Sequence, residues 1–137
     1  MKRILIFLLA IMPLTFISCS SSDDDDNNSS SSKIVGVWYE TDYWDDGAVS
    51  GTPNTWHTWG FVGGYVHEFK ADKTYKYYRS VSDYKAGKPD SNYSGTYTFD
   101  GQNISVNGGF KRKVTFSENG NVFEWEKTAI CARYAGK

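Results

Sequence analysis

The chain has 137 residues, 39% of them hydrophobic and 23% charged, which is the size and composition of one globular domain. Fifteen basic against 16 acidic residues leave a formal charge of -1, which excludes the overall positive field that a nucleic-acid backbone demands. Two cysteines, Cys19 and Cys131, exclude a disulfide-stapled mini-fold.

In chain order, Lys2 and Arg3 precede an apolar run of fourteen residues, Ile4 to Ile17, broken by Pro13. That is too short to cross a hydrocarbon core of about 30 Å as a helix, and it has the charge and length of a signal peptide. Phe16 stands three residues before the cut, where ordinary signal peptidase needs a small side chain. Phe16-Ile17-Ser18-Cys19 resembles a lipobox, the bacterial lipoprotein signal, and the resemblance implies that Cys19 carries acyl chains such as palmitate and becomes the mature N-terminus. A plain secretory peptide or an uncleaved anchor is the alternative. Several acyl chains on one residue exceed what stable attachment needs, so the expected protein is anchored to the membrane without spanning it.

Ser20 to Ser32 is a run of thirteen polar residues with nothing to bury, read as a flexible tether. As a coil it would reach on the order of 20 Å. The acidic block Asp23 to Asp26, right after the lipid-bearing cysteine, resembles the export signal of surface lipoproteins in Bacteroidota, which implies the cell outer membrane and its exposed face. The organisation expected is thus a signal peptide over residues 1–18, a lipidated cysteine and tether over 19–32, and one domain over 33–137. That domain is nearly neutral, with 13 basic and 12 acidic residues.

From Lys33 onward, 21 of 105 residues are aromatic. No window of eleven or more residues keeps a 3.6-residue period, whereas short runs rich in Tyr, Phe, Val and Thr recur between Gly, Asn and Asp clusters. The class is all-β. The expected strands are Ile34 to Tyr43, Tyr65 to Lys70, Thr74 to Ser80, Tyr93 to Phe99, Asn103 to Asn107, Phe110 to Ser117, Asn121 to Lys127 and Ile130 to Tyr134. Asp100-Gly101, Asn107-Gly108-Gly109 and Asn119-Gly120 supply residues that tolerate positive φ in tight turns, so consecutive strands should pair antiparallel. Up-and-down pairing of about eight strands closes into a small barrel without exposed edges; a two-sheet β-sandwich is the alternative.

Gly36-Val37-Trp38 at the start of the first strand is similar to the Gly-x-Trp signature of lipocalins, and Arg133 lies where a lipocalin arginine packs across that tryptophan. Phe69 to Tyr75 and Gly95 to Ile104 resemble hairpins of the compact bacterial lipocalin-like lipoproteins. The likeness covers most of 33–133, with Lys73 in place of a turn glycine and no counterpart of the Thr-Asp-Tyr motif of larger lipocalins. It implies structural roles for Gly36, Trp38 and Arg133, with the cation stacked on the indole closing one barrel end.

The resemblance also turns Trp38 inward, which by the two-residue period would bring Glu40 and Asp42 to the same face as residues of a solvated mouth; periodicity alone leaves the opposite register open. Tyr65, His67 and Phe69 share one face, as do Tyr75, Tyr77 and Arg79, and Tyr93, Tyr97 and Phe99. An eight-stranded barrel is just wide enough to be filled by such side chains or to hold one small ligand. The connection from Trp44 to Gly64 reads as a loop of about twenty residues with three tryptophans, a length typical of binding loops, plugs or an extra hairpin.

Catalytic candidates are few. His57 and His67 stand ten residues apart without metal-ligand spacing, and His67 and Glu68 fall on opposite faces of a strand. Cys131 reads as a buried, inert thiol. No catalytic residue, metal or cofactor is therefore expected. The expectation is a non-catalytic envelope lipoprotein that binds a small hydrophobic molecule or glycan through Trp44, Trp56, Trp59, Tyr65, His67 and Tyr77, with the membrane as its partner through Cys19. The alternative is a surface adhesion module with a filled core that meets protein or polysaccharide through the Trp-rich loop.

Overall fold

The computed structural model describes residues 32–48, 51–60 and 63–136. Cys19, the signal peptide and the tether to Ser31 lie outside them, as does Phe61.

Among the described residues nine strands follow in chain order: β1 (Gly36–Asp45), β2 (Thr55–Thr58), β3 (Val66–Phe69), β4 (Thr74–Tyr78), β5 (Gly95–Phe99), β6 (Asn103–Val106), β7 (Arg112–Phe116), β8 (Val122–Trp125) and β9 (Ala129–Arg133). Every pairing is antiparallel, and β1 pairs with β3 on one side and with β9 on the other. Eight strands, β1 and β3 to β9, thus close into a barrel of the lipocalin-like kind, and β2 is an extra strand on the upper half of β1. The sheet is a closed barrel and not the two-sheet sandwich.

The connection expected as a loop from Trp44 to Gly64 is mostly hairpin. β1 runs two residues past the end of its pairing with β9, and β2 returns alongside it, Asp45 opposite Thr55 and Asp42 opposite Thr58. Thr55 and Thr58 are β-branched and flank the rings of Trp56 and His57, which suits a strand, but the preceding Gly51, Pro53 and Asn54 give the stretch the look of a loop.

A second departure is a short helix, α1 (Val81–Lys85), capped by Ser80, whose hydroxyl accepts from the Asp83 N–H at 3.1 Å. Five residues are too few to show a helical period in sequence. The helix lies against β4, where Tyr84 meets the outward Tyr78 edge to face at 5.2 Å and Tyr134 at 5.4 Å. Val66 and Tyr78 are consequently buried although they stand outside the barrel.

The barrel interior is divided. Its lower half, where β1 begins, is solid: Trp38, Phe69, Ile104 and Phe123 are at most 1% exposed, and Phe99 and Phe116 pack beside them. Ile34 folds beneath, its carbonyl taking the Trp38 indole proton at 2.8 Å. The Arg133 guanidinium carbon lies 4.1 Å from the Trp38 ring centroid, and its nitrogens bond to the carbonyls of Val35 at 3.1 Å and Lys33 at 3.0 Å. Gly36 makes that approach possible, because a Cβ there would stand 2.5 Å from the guanidinium and its φ is +141°.

Candidate functional site

The upper half of the barrel differs in character because β1 changes face midway. Register with β9 slips between Glu40, opposite Cys131, and Asp42, opposite Ile130. Thr41 is the extra residue of this bulge, and its hydroxyl reaches both Asp42 at 2.7 Å and the Ile130 carbonyl at 3.2 Å. Below the bulge Trp38 and Glu40 point inward; above it the inward series is Tyr43 and Asp45. Asp42 therefore does not share the interior with Glu40, as strict alternation would have it, but points out and accepts from Thr58 at 2.7 Å.

Glu40 is not a solvated mouth residue either; it is only 5% exposed. Buried with it are His67 and Tyr75, and the three form one chain: Tyr75 Oη to His67 Nδ1 at 2.7 Å, and His67 Nε2 to Glu40 Oε1 at 2.9 Å. Burial, with Tyr77 and Glu40 nearby, pushes the Tyr75 phenol well above its ordinary value, so it keeps its proton. With the phenol as donor to Nδ1, the matching tautomer has its N–H at Nε2, aimed at Glu40. The second oxygen of Glu40 accepts the Trp59 indole proton at 3.0 Å. Both carboxylate oxygens are thus spoken for by donors from two different strand segments.

Trp59 reaches Glu40 because the backbone between β2 and β3 is pinned at both ends to β1. The Trp59 N–H donates to the Thr41 carbonyl at 2.9 Å, and the Gly64 N–H to the Glu40 carbonyl at 3.0 Å. Gly64 has to lack a side chain, since a Cβ there would collide with the Trp59 indole and with Glu40 Cβ. The indole then lies against Tyr43 at 4.5 Å and Tyr65 at 5.2 Å.

From Trp59 a ladder of rings crosses the barrel mouth. Tyr65 meets Tyr77 at 5.1 Å, and Tyr77 meets Tyr93 at 5.3 Å. A hollow of about 160 Å³ opens among Tyr65, Tyr77, Tyr93 and Arg79. Tyr65, Tyr93 and the Arg79 side chain are 37%, 57% and 65% exposed, so three of its four walls are wet. The Tyr77 phenol is pushed far up, by burial first and by Tyr65 and Glu40 next. Arg79 Nε bonds Asp90 Oδ2 at 2.6 Å; the contact holds the Asp90 carboxyl below its usual range and the guanidinium above its own. A larger cavity of about 350 Å³ lies at the opposite, closed end beside Lys33, Arg133 and the turn from Ser117 to Asn121.

Four of the residues expected to bind ligand, Trp59, Tyr65, His67 and Tyr77, are thus contiguous at the mouth, with His67 3% exposed beneath the rest. Trp44 and Trp56 are not with them. They face each other across β1 and β2 at 5.2 Å on the outer side of the hairpin, opposite Tyr43. Arg79 and Tyr93, expected on interior strand faces and without a ligand role, stand instead outside the strands and exposed, Arg79 just past β4 and Tyr93 in the turn ahead of β5, and Glu40 is the acceptor that ties the mouth together.

Asp45 and His57 form a lesser pair inside the hairpin, 3.7 Å apart, with Asp45 also accepting the Gly47 N–H at 2.8 Å. Among the described residues no group of three or more His, Cys, Asp or Glu is placed to hold a metal ion. Burial pushes the Cys131 thiol well up, and the charge of Glu40 adds to this, which disfavours the thiolate a nucleophile needs. Trp125 Nε1 is the one buried side-chain polar atom among the described residues without a hydrogen-bond partner; its ring stands 5.6 Å from His67. No helix among the described residues is long and apolar enough to cross a membrane. No protein family, no curated protein and no solved structure matches this chain.

Proposed function

We propose that this chain is a lipid-anchored lipoprotein of the bacterial outer membrane, displayed at the cell surface, whose lipocalin-like barrel binds a small ligand at its mouth without catalysis. The observation that carries the reading is the ring ladder Trp59–Tyr65–Tyr77–Tyr93, whose three tyrosines line a hollow with Arg79, set above a barrel floor with no room for a guest. Flat faces with polar handles suit a ligand that is part apolar and part hydroxylated. Binding rather than turnover is favoured because Tyr75, His67 and Glu40 satisfy one another beneath the hollow and present no free acid or base to it.

The anchor fits this geometry. The chain enters the domain at the closed end, where Lys33 and Ile34 underlie Trp38, so a tether from Cys19 would hold that end toward the bilayer and aim the mouth outward. The outer pair Trp44 and Trp56 favours a second reading, an adhesion surface on the hairpin's outer side.

The test is native mass spectrometry of the full chain extracted from its own membranes. A stoichiometric small-molecule adduct is expected, lost on denaturation and lost in a Tyr65→Ala/Tyr77→Ala variant. A wild-type chain that emerges without any adduct counts against mouth binding. Metabolic labelling with palmitate, expected in the wild type and gone in Cys19→Ser, tests the anchor separately.

A further inference from the structure

We propose that the mouth hollow is a subsite for a single saccharide ring, walled by Tyr65, Tyr77 and Tyr93 and supplied with hydrogen-bond donors by Arg79. The inference rests on the mouth-binding reading and narrows it to one ligand class.

Size comes first. At about 160 Å³ the hollow is below the range of whole small-molecule sites, roughly 300–1,000 Å³, and fits one six-membered ring with its substituents. An acyl chain would need a dry apolar sleeve leading downward. The interior there is occupied by Trp38, Phe69, Ile104 and Phe123, each at most 1% exposed, and the Glu40–His67–Tyr75 chain lies between them and the mouth.

The chemistry of the walls points the same way. All three aromatic walls are phenols and none is aliphatic, and the surface they and Arg79 turn to the hollow is mostly polar. A pyranose has a C–H face that packs on a ring and a rim of hydroxyls, and burying those hydroxyls costs free energy unless each finds a partner. Arg79 answers that need: Asp90 engages its Nε, and a guanidinium carries four further N–H groups on its Nη atoms. Asp90 is itself fixed, its N–H donating to the Tyr77 carbonyl at 2.8 Å and its Oδ1 accepting the Asn92 N–H at 3.0 Å. Asp90 thus orients the Nε edge of the guanidinium and leaves the Nη edge, on a side chain that is itself 65% exposed, free to meet a ligand. A single ring with this little contact binds on the order of millimolar, and a longer glycan gains from Trp59 at the far end of the ladder.

The experiment is saturation-transfer-difference NMR on the full chain in detergent micelles. The probes are the methyl glycosides of glucose, galactose, mannose, N-acetylglucosamine and glucuronic acid, with laurate as the apolar probe. At least one glycoside is expected to receive saturation at its ring protons and to lose affinity about tenfold or more in Tyr93→Ala, a change at an exposed ring that leaves the melting temperature unaltered. Tyr93→Phe, which keeps the face and drops the hydroxyl, should lose less. No saturable transfer to any glycoside overturns the saccharide subsite. If laurate then binds and is lost in Tyr65→Ala, the mouth-binding reading survives with a different ligand; if laurate also fails, both readings fall.

Discussion

Glu40 Oε1 and His67 Nε2 share a hydrogen bond of 2.9 Å in a position where Glu40 is only 5% exposed. The bond ties β1 to its neighbour β3 on the inner face of the barrel, and the same carboxylate holds Trp59 over the mouth at 3.0 Å. Glu40→Gln keeps the shape but turns an amide N–H toward one of two donors, so one N–H is left facing another. A buried donor that loses its acceptor costs about 1–3 kcal/mol, more when the acceptor was charged. Urea denaturation should show Glu40→Gln less stable by about 2–3 kcal/mol. Trp59→Phe should cost less, and the double variant should cost less than the two losses added, because both act on one network.

Lys73 tests the turn between β3 and β4. Its φ is +68°, a left-handed conformation that costs a residue with a Cβ about 1 kcal/mol. The side chain also lies over the Tyr97 ring, 5.4 Å from the centroid, so removing it sacrifices a weak cation–π contact. Comparing Lys73→Gly with Lys73→Ala cancels that loss, since neither keeps the ammonium. The glycine variant should be the more stable of the two by about 1 kcal/mol in denaturant titrations, and equal stabilities would mean the turn relaxes in alanine's favour.

Much of the barrel can be read from the residues that punctuate it. Asn107-Gly108 and Asn119-Gly120 place hairpin turns, with Asn107 taking φ +52° and Gly120 φ +67°, and the aromatic alternation ahead of the first turn sorts Tyr97 and Phe99 to the interior. The β1 bulge leaves no such trace. Glu40-Thr41-Asp42 holds no glycine or proline, and the slip arises from which carbonyls of β9 the strand meets, a long-range matter that local sequence does not carry. For the same reason Glu40 read as solvated: whether a carboxylate is buried depends on donors brought from His67 and Trp59, 27 and 19 residues away.

The alkaline limit of stability should be set by buried phenols. Burial raises the values of Tyr75, Tyr77 and Tyr78 far above the ordinary 10.0, with Glu40 adding to the first two and Glu68 to the third. A group whose folded value is raised stabilises the fold fully below the unfolded value and loses that contribution as pH climbs past it. Stability should therefore hold up to about pH 10 and fall above it, because the unfolded chain can ionise where the folded one cannot. Absorbance of phenolate at 295 nm should show a late group of tyrosines that ionise together with the loss of near-ultraviolet circular dichroism. Tyr78→Phe should delay that loss, since it removes one phenol that favours the unfolded state at high pH.

The last prediction separates the two faces of the β1–β2 hairpin. Trp44 and Trp56 pack edge to face on its outer side, whereas Tyr43 on the inner side touches Trp59 at 4.5 Å and so borders the mouth. Trp44→Ala removes a contact worth about 0.5–1.5 kcal/mol beyond its burial and should lower stability modestly. It should leave occupancy of the mouth unchanged when the co-purified adduct is measured by native mass spectrometry. Tyr65→Ala should do the reverse, sparing stability because the ring is 37% exposed and lowering occupancy about tenfold because the ring joins Trp59 to Tyr77. Occupancy that survives Tyr65→Ala and disappears in Trp44→Ala would move the binding surface to the outer side of the hairpin, where a partner would meet two indoles on a strand pair and the barrel would serve only as their support.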